Sequence, residues 1–96
     1  MLNTLSKKEV IRVLSQEEIQ MRIFFCTPLS HEDIAVILRI LKGESGFIAD
    51  LNHIRKIVEI LEDESLQNRL SALSTLTKKN FMDIISDLIC YVHDHL

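Results

Sequence analysis

The chain has very little of what interrupts regular structure: two glycines, one proline, no tryptophan, and aromatic residues at only 5%. Collagen-like, linker-rich and low-complexity classes need abundant Gly or Pro and are excluded. Two cysteines, Cys26 and Cys90, are too few for a disulfide framework, so free thiols in a reducing cytoplasm are expected. Long apolar runs are missing as well. The densest, Ile34 to Leu41, is broken by Arg39 and is far shorter than the roughly 20 residues a membrane helix needs. Residues 1–10 carry Lys7 and Lys8 instead of the apolar stretch of a signal peptide. Nor is there a surplus of positive charge. The formal net charge is −3, and long-range attraction to phosphate backbones is not expected.

Catalytic motifs are absent in the same way. The chain contains no Gly-rich dinucleotide or phosphate loop, no Gly-x-Ser-x-Gly and no His-Glu-x-x-His, which argues against an enzyme and against a bound cofactor. The last 14 residues hold the nearest approach to a metal set: Cys90 with Asp87, His93 and Asp94 within one or two helical turns. Zinc takes such donors, but without a paired Cys-x-x-Cys the plain reading is a solvated acidic face. Cys26, between Phe25 and Thr27-Pro28, reads as a buried structural thiol.

What is present is aliphatic. Hydrophobic residues make up 47% of the chain, Leu and Ile supplying 27 of them, and the mean hydropathy is +0.16. Ninety-six residues make one domain, 1–96, and a domain of that size buries only about 60–65% of the surface its unfolded chain exposes. Some of this apolar inventory must lie outside a monomeric core, and contiguous apolar surface marks an interface.

Helix starts can be read from the caps. Ser6 with Glu9, Ser15 with Glu18, and Ser30 with Asp33 fit or approach the capping box, and Asp63 and Thr77 are further N-cap candidates. They divide the chain into an all-α bundle of about five to six short helices: 7–14, 16–26, 31–42, 47–62, 64–76 and 78–95. The first two could be one helix, since Ser15 can also sit inside a helix. Gly43 to Gly46 is the clearest turn. A strand at Met21 to Thr27 is the α+β alternative, because short apolar runs do not separate helix from strand. Apolar strings such as Val10–Leu14 and Val58–Leu61 recur without an evident period, so no repeat array is expected.

The helical wheels locate the surplus. Segment 64–76 has one narrow stripe, Leu66, Leu70 and Leu73, as a core-facing helix should. Segment 31–42 is apolar nearly all round, which places it centrally or in a subunit interface. Segment 78–95 is apolar over about half its circumference, wider than the roughly 100° a one-sided helix needs. The resulting expectation is a non-catalytic protein–protein interaction module (regulator, adaptor, chaperone or inhibitor) that buries aliphatic side chains against a partner protein and forms a homo-oligomer. Its candidate interface is Ile60, Met82, Ile85, Ile89 and Tyr91, with acidic surroundings tuning partner choice. The alternative is a dimeric DNA-binding regulator using 31–42 and 47–62 as a helix-turn-helix, with Asn52, His53, Arg55 and Lys56 as its polar donors.

Overall fold

The computed structural model describes residues 4–96. These form six helices: α1 (Lys7–Ser15), α2 (Glu17–Cys26), α3 (His31–Lys42), α4 (Leu51–Leu61), α5 (Glu64–Leu73) and α6 (Lys78–Asp94). No strand occurs among the described residues, and Met21 to Cys26 is helical. Buried side chains from all six helices join one apolar cluster. The radius of gyration, 12.6 Å, is close to the value of about 12.5 Å expected for a folded chain of this length.

Most predicted caps are present. Ser6 Oγ accepts from Glu9 N at 3.3 Å while Glu9 Oε1 accepts from Ser6 N at 3.2 Å. Ser30 and Asp33 make the same reciprocal pair, as do Thr77 and Asn80. Asp63 accepts from Leu66 N. Ser15 does not start α2. Its hydroxyl donates to the Ile11 carbonyl at 2.6 Å, and Gln16, extended at ψ 127°, is the N-cap and makes no side-chain cap bond. That extended residue separates α1 from α2.

The fourth helix starts at Leu51 rather than at 47. Gly46 turns the chain at φ 78°, and the Tyr91 hydroxyl then donates to the Phe47 carbonyl at 3.0 Å and accepts from Ala49 N at 3.1 Å. Those backbone groups are thereby held out of a helix, and Asp50 becomes the cap, accepting from Asn52 N. The connection from α3 to α4 is thus eight residues, Gly43 to Asp50. It returns the chain to the start of α3, where His53 Nε2–H donates to Asp33 Oδ1 at 2.5 Å. Because α4 packs chiefly on α6, α3 and α4 do not form the tight 3–4-residue turn of a helix-turn-helix. Helix α3 lies centrally, packed on α1, α2 and α6, which accounts for its nearly continuous apolar sequence.

The architecture contains a repeat. Gln20 Nε2 donates to the Leu14 carbonyl at the end of α1, and Gln67 Nε2 to the Leu61 carbonyl at the end of α4. Thr27 Oγ1 closes α2 on the Ile23 carbonyl, and Ser74 Oγ closes α5 on the Leu70 carbonyl. Leu29 and Leu76 follow, both buried, then the capping boxes Ser30/Asp33 and Thr77/Asn80. Every equivalent pair is 47 residues apart. The core obeys the same offset: Val10 and Ile57, Leu14 and Leu61, Ile37 and Ile84, Leu41 and Leu88 are all buried. Within each half the helices pack alike, α1 on α3 as α4 on α6. Across the halves like meets like, α3 on α6 and α2 on α5. The molecule is a three-helix unit present twice about an approximate two-fold axis. The strings Val10–Leu14 and Ile57–Leu61 are themselves 47 residues apart, and the polar positions at the same offset identify them as a repeat, contrary to the expectation of none.

Candidate protein-binding surface

The two halves provide an internal control for the surface. Where both carry buried aliphatic residues at equivalent positions, the core explains them. Where only one half does and the side chain is exposed, packing does not.

On α6, Phe81, Ile84, Ile85, Leu88 and Val92 are buried, whereas Met82 and Ile89 stay 55% and 43% exposed and Leu96, just past the helix, 76%. At 100° per residue Met82, Ile89 and His93 fall within about 40° of each other, and Leu96 continues their line. The equivalents of Met82, Ser86 and Ile89 in the first half are Ala35, Arg39 and Lys42, of which Ala35, Arg39 and Lys42 are all exposed. The fold therefore accommodates small and charged residues on this face, and the second half presents apolar ones.

The stripe borders a groove between α4 and α6. At one end the groove is lined by Val58, Glu59, Ile89 and Leu96, with Arg55 and His93. Toward the start of α6 it continues past Glu62, Glu64, Gln67, Lys78, Met82 and Ile85. The α4 rim thus runs from Arg55 to Glu59 and Glu62, while its counterpart on α1 is Lys8, Arg12 and Ser15. An apolar strip whose α4 edge carries Glu59 and Glu62 suits aliphatic anchors with basic residues on that side.

Of the five residues expected at the interface, three come together. Met82 and Ile89 are exposed on the stripe, and Ile85, 7% exposed, forms part of its floor. Ile60 lies about 200° around α4 from Val58 and packs half-buried against the core. Tyr91 occupies the flank of α6 away from the stripe, half-buried, its hydroxyl engaged with the 47–49 segment and its ring stacked on His95. Val58, Glu59, Glu62 and Leu96 join the surface without having been singled out. An i, i+4, i+7 count within one helix cannot show which residues of a second helix lie alongside.

The thiol and histidine neighbourhoods are simple. Cys26 is exposed, not buried: α5 covers the opposite side of α2, and Arg69 Nη1 donates to the Cys26 carbonyl at 2.9 Å, leaving the side chain outside. Cys90 is exposed also. Asp87 pairs with Lys7 at 3.2 Å. Among the described residues no group of three His, Cys, Asp or Glu side chains is close enough to hold a metal. Among the described residues, no helix is long and apolar enough to cross a membrane.

A second exposed apolar face, which the helical wheels did not single out, lies on α2. Phe25 is 82% and Met21 47% exposed; together with Glu17, Glu18 and Arg22 they form the outer side of the helix. Their equivalents on α5 are Ala72 and Asn68, so these apolar residues too are additions of one half. The signal was in the sequence: α2 carries large apolar residues on both sides, Ile19 and Ile23 inward, Met21 and Phe25 outward.

The chain matches no protein-family model, and comparison with curated proteins and with solved structures finds no significant match.

Proposed function

We propose that this protein is a non-catalytic interaction module whose α4–α6 face receives an apolar helix of another protein. The observation that carries the reading is the asymmetry of the repeat: Met82 and Ile89 stand exposed where the first half has Ala35 and Lys42. Large aliphatic groups kept in water without serving the core are what an interface requires. The mechanism is burial of partner side chains over Val58, Ile85 and Ile89, with Glu59 and Glu62 selecting basic flanks and raising the encounter rate. A regulator, adaptor, chaperone or inhibitor acting in the cytoplasm fits this mode of action.

The test writes the first half's residues into the second. Met82→Ala with Ile89→Lys should leave helicity and melting temperature near wild type, because the equivalent positions already tolerate Ala and Lys. It should also remove the proteins that wild-type bait retains from a lysate of the native host. Retention of an unchanged set of proteins by the double variant would refute the reading.

A further inference from the structure

We propose that the outer face of α2 is a contact between two copies of this chain, pairing α2 antiparallel with α2 about Met21. This contact is separate from the α4–α6 surface and does not rest on it. Phe25 is the most exposed aromatic residue of the fold, and Met21 lies one turn before it on the same side. The equivalent side of α5 carries Ser65, Asn68 and Ala72, so nothing in the three-helix unit itself calls for these side chains.

The charges identify the occupant. Glu17 and Glu18 stand at the start of the helix, Arg22 one turn later, and Arg69 of α5 at its far end, bonded to the Cys26 carbonyl. Glu18 and Arg22 are joined at 2.6 Å. A two-fold axis at Met21 running across α2 reverses the helix direction but keeps each flank on its own side. Glu18 and Arg22 lie about 40° apart on one flank, with Cys26 beyond. Glu18 of the second copy is therefore brought level with residue 24 on the flank that carries Phe25, Arg22 and Cys26, between Arg22 and the Arg69 end. The reciprocal placement follows by symmetry, as an isologous contact requires. Phe25 then covers the first turn of the other α2, the two methionines meet at the axis, and the opposed helix dipoles attract. A parallel two-fold pairing would instead exchange the flanks and set Glu18 of one copy beside Glu17 of the other. The acid-then-base order along α2 thus favours a second copy over a partner of uniform charge.

The contact is narrow. Ten residues make a helix about 15 Å long, and such a face falls short of the roughly 800 Å² per partner of a standard interface. The dimer should accordingly be weak and strongly concentration-dependent.

The experiment uses the full chain with Cys26→Ser and Cys90→Ser, into which a single cysteine is placed at Met21, Ile89 or Lys56, followed by mild oxidation and sedimentation equilibrium. Met21→Cys should cross-link at least roughly tenfold faster than Lys56→Cys, since residues at the axis approach within disulfide reach. Phe25→Asp should weaken self-association of the otherwise wild-type chain by roughly tenfold or more, with its circular dichroism unchanged, and Glu18→Arg should weaken it less. Faster cross-linking at Ile89 than at Met21 would put self-association on α6 and overturn the proposal. So would a wild type that remains monomeric at millimolar concentration. Neither result bears on loss of a partner protein in the Met82→Ala, Ile89→Lys variant, so the two readings stand or fall separately.

Discussion

Two equivalent polar residues, Asp33 and Asn80, tie the three-helix units together at the residue scale. Asn80, 2% exposed, accepts from Thr77 N at 3.0 Å and donates through Nδ2 to the Leu5 carbonyl at 2.8 Å. Asp33 does the corresponding work at the other unit, accepting from Ser30 N and from His53. Each secures the start of the other half's first helix to its own capping box. Asn80→Ala would leave half-buried backbone groups of Leu5 and Thr77 without these partners, and we expect a loss of about 1–3 kcal/mol in urea unfolding. Asp33 adds a pH dependence. Burial alone would raise its carboxyl, but the Ser30 backbone N–H, the His53 side chain and the Ser30 hydroxyl outweigh burial and hold it below the ordinary aspartate value. A folded pKa below the unfolded one stabilises the protein above about pH 4, and that stabilisation is lost as pH falls through the folded value. Asp33→Asn imitates the second half, so it should fold. Its melting temperature should depend less on pH between about 2 and 4 than that of the wild type; identical acid limbs would contradict the assignment.

At the scale of the element, helix ends are set by side chains within a few residues of them. Ser30→Ala removes the acceptor for Asp33 N and should cost about 1 kcal/mol in denaturant unfolding. For this reason the span 31–42 and the starts at Lys7, Glu64 and Lys78 were legible to the residue. The start of the fourth helix was missed because a distant residue intervenes. Tyr91 engages the backbone of Phe47 and Ala49, outside any helix, from more than 40 positions away, and no local pattern around residue 47 announces it. Ser15 looked like a cap because the spacing to Glu18 was right, yet its hydroxyl was taken by the preceding turn. Cys26, expected buried from its place between Phe25 and Thr27-Pro28, is exposed, and Phe25 itself faces water.

On the scale of the whole molecule, the duplicated unit separates what folding needs from what remains for binding. The halves agree at much of the core and at the Ser30/Asp33 and Thr77/Asn80 caps, and among their exposed apolar residues they differ on two outer faces, α2 in the first half and the α4–α6 edge in the second. A fold whose two units bury equivalent residues should tolerate exchange of exposed positions between them; the Met82→Ala, Ile89→Lys variant tests that tolerance by its unchanged melting temperature. The predicted surplus of apolar surface is real but smaller than the composition suggested. Most aliphatic residues are consumed by the core, including nearly all of α3 and the Ile85 position, and what stays exposed is concentrated in a few side chains.

Helix content, most boundaries and the excess of aliphatic residues were decided by the sequence alone, because caps and 3.6-residue periodicity act over a few positions and need no knowledge of the rest of the chain. Which apolar residues form surface was decided by the tertiary structure. Met82 and Ile85 are three residues apart on one helix, and only the placement of α4 and α5 against α6 buries one and leaves the other in water. The pseudo-two-fold symmetry likewise became visible once packing showed α3 against α6 and α2 against α5. A contact between residues distant in the chain depends on how whole helices pack, and local periodicity carries no record of that.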